Sequence, residues 1–154
     1  MLTAADVPIQ KNLSPKVKPP AKELGFGRFF TDHMFVCKFT PAKGWHDPKI
    51  TPYQPFQMDP GASVLHYGQA LFEGMKAFKN KKGQCVLFRP DFNWQRMKDG
   101  ADRLCMEAPP KDIFIEGVKA LIRTDIDWLP EDPNCSLYIR PTLIGTEAFL
   151  GVRP

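Results

Sequence analysis

No run of apolar side chains in this 154-residue sequence approaches the roughly 20 residues that cross a bilayer. A membrane-spanning helix is therefore excluded and a soluble protein is expected. The four cysteines, Cys37, Cys85, Cys105 and Cys135, include no CxxC pair and have no cluster of histidines beside them. That spacing argues against a zinc site and against a dithiol redox motif. Reduced, buried thiols acting as small hydrophobes are expected instead, and no metal. The first 22 residues contain no arginine and no apolar core, so neither a secretory signal nor an intact Arg-rich transit peptide is expected, though a cleaved organellar form would read the same. A large charge of one sign is lacking too: 21 basic against 17 acidic residues leave a formal charge of +4. So small an excess says little about partners, and no aromatic-interleaved basic face accompanies it, so neither nucleic acid nor membrane is expected.

Hydrophobic residues make up 43% of the chain and aromatics 12%, enough for one ordinary core. Sixteen prolines and 11 glycines call for several short elements joined by rigid turns. Residues 1–24, with Lys11, Lys16, Lys18 and Lys22 among Pro8, Pro15, Pro19 and Pro20, read as an extended arm. Residues 29–40 read as a strand with Phe29, Phe35, Cys37 and Phe39 on its buried face. Five prolines between 41 and 60 exclude a continuous helix and leave loop with short extended pieces. Residues 75–79 and 84–89 flank Asn80-Lys81-Lys82-Gly83 as a hairpin.

After Pro90 the period changes. Met97, Ala101, Leu104 and Cys105 predict a helix over 91–105 with Asp91 capping its first turn, and Phe114, Val118, Leu121 and Ile122 predict another over 112–125. Residues 136–144 alternate again, with Leu137, Ile139 and Leu143 on one side and Tyr138, Arg140, Thr142 and Ile144 on a polar side. Hairpins, then helices, then a closing strand imply an α+β fold with a largely antiparallel sheet and flanking helices.

Three places carry candidate chemistry. Tyr138 and Arg140 stand two residues apart, so their side chains leave one face of a strand about 7 Å apart. A phenol and a guanidinium so placed suit a carboxylate, and equally suit an aromatic packed beside an arginine that pairs with a structural acid. Arg96 shares a helical stripe with Gly100 and Arg103. A glycine there costs the helix about 1 kcal/mol against alanine, so either a ligand or a packed neighbour comes close to that face. The segment Leu65-His66-Tyr67-Gly68-Gln69-Ala70-Leu71-Phe72-Glu73-Gly74-Met75-Lys76-Ala77-Phe78 packs three aromatics and two glycines into a stretch that reads, by itself, as a tight turn leading into the hairpin with its rings in the core.

That segment resembles the corresponding stretch of branched-chain aminotransferases, fold-type IV enzymes that use pyridoxal phosphate. The likeness recurs in order at Phe30-Thr31-Asp32-His33-Met34, Leu87-Phe88-Arg89-Pro90, Arg96-Met97, Ser136 to Pro141, Ile144-Gly145-Thr146-Glu147 and Leu150-Gly151-Val152, and covers about 26–154. It implies that Arg96 holds the cofactor phosphate and that Tyr138 and Arg140 lie by the substrate. It places Phe30, Tyr67 and Phe72 on the wall of an apolar side-chain pocket, with Leu150 and Val152 reaching the neighbouring subunit of a homodimer. An apolar wall is the only means of selecting a branched aliphatic side chain, which has no group to hydrogen-bond. The substrates implied are leucine, isoleucine and valine with 2-oxo acids such as 2-oxoglutarate, in the cytoplasm or the mitochondrial matrix. The family's Schiff-base lysine lies beyond Pro154, so no catalytic residue is assigned here, and Lys76 is expected to face outward from its strand. On this reading 25–148 form the small α+β domain, 149–154 begin an interdomain linker, and the cofactor domain is cut off. Other fold-type IV aminotransferases or lyases, and a non-catalytic binding domain using the basic arm, are the competing readings.

Overall fold

The computed structural model describes residues 1–151 and is α+β. Seven short strands run in chain order as β1 His33–Thr40, β2 Gly44–Pro52, β3 Ala70–Phe72, β4 Met75–Lys79, β5 Cys85–Leu87, β6 Leu137–Ile139 and β7 Thr142–Ile144. Every ladder they form is antiparallel. The expected hairpin forms as its turn chemistry dictates. Between β4 and β5 the Asn80 side-chain oxygen accepts from the Lys82 and Gln84 amides at 2.9 Å each, while Gly83 takes the positive φ of 76° that closes the turn. Lys76 is exposed on β4 between the buried Met75 and Ala77.

The closing strand expected over 136–144 is divided. β6 pairs with β4 and β7 with β3, yet the register is the same on both sides of the break, so that Glu73 falls opposite Pro141 and Gly74 opposite Arg140. Pro141 has no N–H to give the ladder, and one bond survives there, from the Glu73 amide to the Pro141 carbonyl at 2.9 Å. The sheet is thus three small ladders, β1-β2, β3-β7 and β5-β4-β6.

A short α1, Ser63–Tyr67, precedes β3, and two longer helices cover the sheet, α2 at Pro90–Arg103 and α3 at Lys111–Thr124. α2 starts with Pro90 at its first turn and no side-chain cap. Asp91, expected as the cap, instead pairs with Lys111 at 2.8 Å. Of its apolar stripe Met97 and Ala101 are buried, but Leu104 and Cys105 are exposed, because the helix ends at Arg103 and the chain turns away through Cys105 at φ 51°. In α3 the period holds: Phe114, Val118 and Ile122 join Met75, Ala77, Met97, Leu129 and Ile139 in the main core, with Leu137 and Leu143 against it. Each such aliphatic or aromatic burial contributes about 1.5–3 kcal/mol. No helix among the described residues is long and apolar enough to cross a membrane.

A second core joins β2 and α3 to the start of the chain. Ile50, fully buried, meets Ala4, Val7 and Ala120, with Phe35 and Leu121 beside them. The Leu2 amide donates to Asp112 at 2.9 Å and the Ala4 amide to Glu116 at 3.1 Å, while Ile9 and Ile50 form an isolated parallel bridge. The stretch expected as an arm therefore docks along its first ten residues. Its lysines dock as well: Lys16 Nζ donates to the Phe30 and Thr31 carbonyls and Lys18 Nζ to that of Asp127.

Three further expectations are corrected. Phe29 and Phe39 are exposed and only the β1 portion of 29–40 is strand, since Asp32 turns its side chain inward before it. Residues 44–52, expected as loop with short extended pieces, form a nine-residue strand. Two of its prolines are tolerated because Pro48 sits with Asp47 (φ 53°) in a bulge opposite Cys37 and Pro52 ends the strand. The cysteines are free, but Cys105 is exposed and the others only half-buried; burial pushes the Cys37 and Cys85 thiols up.

Asp32 ties the N-terminal segment at Asn12 and Lys16 to the turn that follows α3, at Trp128. Burial raises its pKa, and the Lys16 amide at 2.8 Å, the Trp128 indole at 2.9 Å and the Asn12 amide at 3.3 Å outweigh it together with the Lys16 charge, so the carboxyl lies below its usual range. A depressed carboxylate stabilises the fold above its unfolded pKa of about 3.9 and loses that contribution as pH falls through the lower folded value. Urea midpoints of wild type and Asp32→Asn measured from pH 6 down to about pH 2.5 should converge at the acid end. Parallel curves would show that Asp32 does not carry this dependence.

Candidate functional site

The break between Gly74 and Pro141 organises the site. Tyr138 on β6 and Arg140 just after it do share a face: Arg140 Nε and Nη2 both donate to the Tyr138 phenol oxygen, at 3.1 and 2.8 Å. With two donors on that oxygen, the phenol proton is left to point at something else. The guanidinium carbon also lies 4.2 Å from the centre of the Phe72 ring and 5.1 Å from that of Tyr138. Cation–π contact holds an arginine without neutralising it. Arg140 forms no ion pair among the described residues.

Tyr138 is fixed from two sides. The Phe26 ring meets it edge-on at 5.0 Å. Its phenol lies against the backbone of Gly74, where a Cβ would collide with the oxygen and come within 3.1 Å of the ring carbon bearing it. Only glycine admits the phenol here.

Beside this, Glu73 is buried, 4% exposed. Its Oε1 is ion-paired with Arg96, 3.0 Å from Nε, and its Oε2 accepts from Asn93 Nδ2 at 2.9 Å, so that α2 presents a cation and a donor one turn apart to one carboxylate. Arg96 is otherwise 69% exposed and faces a shallow depression of about 210 Å³ lined with Phe88, Arg89, Phe92 and Asn93. Arg89, in a left-handed conformation at the start of α2, stacks its guanidinium 3.6 Å over Phe92. Two guanidinium groups bordering one depression form a donor set that fits a phosphate. Gly100, on the same stripe as Arg96, has a packing reason: a Cβ there would stand 3.1 Å from Leu71 of β3.

The other candidates are placed less centrally. Phe30 stacks on Tyr53 at 4.9 Å, with the Lys16 ammonium 4.4 Å over the Tyr53 ring. Tyr67 ends α1, 46% exposed, and Leu150 is 68% exposed. Val152 lies outside the described residues. Glu73, Asn93, Arg89 and Phe26 were not singled out by sequence. Glu73 stood inside the best-matching segment, but nothing in its spacing tells a buried acid from a surface one. No group of three or more His, Cys, Asp or Glu among the described residues could hold a metal ion.

No protein-family model matches the chain. Over 151 residues it is 46% identical to branched-chain-amino-acid aminotransferase 2 of Bacillus subtilis, a match spanning 98% of this chain and 42% of that protein. A probable branched-chain-amino-acid aminotransferase of Staphylococcus epidermidis is 48% identical over 96% of this chain and 41% of its own length. The chain thus spans about two-fifths of the length of these curated relatives. Among solved structures it resembles the Escherichia coli branched-chain amino acid aminotransferase, with a TM-score of 0.57 and 26% identity over 69% of this chain and 33% of that one. It also resembles a second solved branched-chain amino acid aminotransferase, that of T.th., with pyridoxamine 5′-phosphate; there the TM-score is 0.52 and the identity 28% over 64% of this chain and 30% of that one.

Gly74→Ala should displace the Tyr138 phenol and break both of its bonds from Arg140. The overpacking is expected to cost about 1–3 kcal/mol in chemical denaturation, with the Tyr138 ring resonances shifted and those of the second core, around Ile50, unmoved. A variant of wild-type stability with an unchanged Tyr138 spectrum would refute the close approach.

Proposed function

Because the chain belongs to the branched-chain-amino-acid aminotransferase family, we propose that the protein it contributes to transfers the amino group between leucine, isoleucine or valine and 2-oxoglutarate. The observation that carries this reading is Arg140, held by a phenol oxygen and an aromatic face with no carboxylate of the described residues on it. A cation kept in place but unneutralised, beside a phenol with its proton to spare, is suited to a substrate carboxylate, each charge-assisted contact being worth about 1.5–3 kcal/mol.

Pyridoxal phosphate, when bound, supplies the electron sink that the amino transfer needs. Arg96, with Arg89 on the same depression, would hold the phosphate. Phe72 serves twice, supporting the Arg140 guanidinium and offering its exposed ring to an aliphatic side chain. Phe30 and Tyr67 are the further candidates for that wall, and Leu150 is the candidate for contact with the neighbouring protomer of a homodimer. The lysine that moves the proton at the substrate α-carbon is supplied from outside these 154 residues. A binding function of the basic arm has little support, since Lys16 and Lys18 are committed to backbone carbonyls.

Two measurements test the reading. The 154-residue chain alone, mixed with pyridoxal phosphate, leucine and 2-oxoglutarate and then reduced with borohydride, should show no turnover and only scattered, substoichiometric lysine adducts. Lys76, inside the best-matching segment, is exposed on its strand. One stoichiometric adduct on Lys76 with turnover would overturn the assignment of the lysine elsewhere. In a protein extended to the length of its relatives, Arg140→Ala should lower kcat/KM by roughly 10- to 100-fold with little change in folding stability. Unchanged kcat/KM would remove Arg140 from the site.

A further inference from the structure

Arg96 and Arg140 stand on different elements, and one buried side chain lies between them in the fold. Glu73 follows Phe72 at the end of β3. Its amide donates to the Pro141 carbonyl, next to Arg140, and its carboxylate reaches α2. A charge so enclosed is retained at a cost in desolvation, and both oxygens are spent on α2 donors. Asn93 Nδ2 holds Oε2 at 2.9 Å and is itself fixed by the Gly74 carbonyl at 3.1 Å.

Oε1 takes Arg96 Nε at 3.0 Å. This ion pair keeps the guanidinium beside Glu73, at the edge of the depression that Arg96 lines. An exposed arginine without such an anchor samples many rotamers and loses that freedom when it binds.

We propose that Glu73 is a positioning residue for an oxyanion site. Clamped by Asn93, it pre-orients the Arg96 guanidinium for a phosphate group, and through Pro141 it keeps that site in fixed relation to the carboxylate site at Tyr138 and Arg140. This rests on the reading of Arg96 as the phosphate holder.

The expected effect of a substitution is opposite in sign to simple electrostatics. Glu73→Gln removes a negative charge beside Arg96, and if charge alone mattered the variant would bind anions more tightly. A glutamine, however, has no charge with which to hold Arg96, and it can accept from Asn93 with only one end, the other being an NH2. Inorganic phosphate is titrated into the 154-residue chain while the Arg96 Nε–H resonance, identified by its loss in Arg96→Lys, is followed by heteronuclear NMR. In wild type that resonance should move saturably with phosphate. In Glu73→Gln phosphate should bind roughly tenfold more weakly. Asn93→Ala, which leaves the Glu73 charge in place, should weaken phosphate in the same direction and keeps the test open if Glu73→Gln does not fold. Phosphate binding that is unchanged or tighter in the folded variants overturns the positioning role alone. Absence of any saturable phosphate shift at Arg96 in wild type overturns the phosphate reading, and this inference with it.

Discussion

The N–H that Pro141 lacks and the Cβ that Gly74 lacks meet across one ladder, and the arrangement of the candidate site follows from that meeting. A continuous antiparallel pair would have carried β3 into β4 and β6 into β7 without interruption, since the register is common to both halves. The missing donor opens the ladder at one step. The missing side chain lets a phenol lie against the backbone in the gap. Arg140, released from pairing at the same step, folds back over Phe72 and onto Tyr138.

The protein buries few charges, and those it buries join segments distant in sequence. Glu73 joins the ladder gap to α2. Asp32 gathers Asn12, Lys16 and Trp128. Asp125, at the end of α3, takes His33 Nδ1 at 2.6 Å and the His33 amide at 3.1 Å. Because His33 Nε2 accepts from the Asn12 amide at 2.8 Å, its proton resides on Nδ1. Such acids add little to net stability once desolvation is counted. Each nevertheless accepts donors from separate parts of the chain or holds one part against another, which fixes where those parts sit.

Two modest cores, one between the sheet and α2 and α3 and one beneath the docked first residues, leave many large apolar groups outside. Phe26, Phe72, Phe88, Phe92 and Leu150 are all more than half exposed. Several border the two arginine sites, so the apolar surface and the candidate chemistry share one region.

The alternation in 136–144 identified Leu137, Ile139 and Leu143 as core and Tyr138 with Arg140 as a shared face. The helical period identified Met97, Ala101, Phe114, Val118 and Ile122, and Asn80 with Gly83 marked the hairpin turn. These follow from sequence because they depend on neighbours two, three or four residues away. The family likeness marked Arg96 and the aromatic segment, again as residues in a row. Tertiary structure alone decided that Pro48 could stand inside a strand, at a bulge, and that Leu104 and Cys105 fall past the end of their helix. It also decided that the first ten residues are part of the second core, and that Glu73 is a buried acid. Those outcomes depend on which element packs against which and where each stops. The carboxylate that holds Arg96 differs from a surface glutamate only by the α2 donors brought to it from across the fold, and no local period reports a donor that distant.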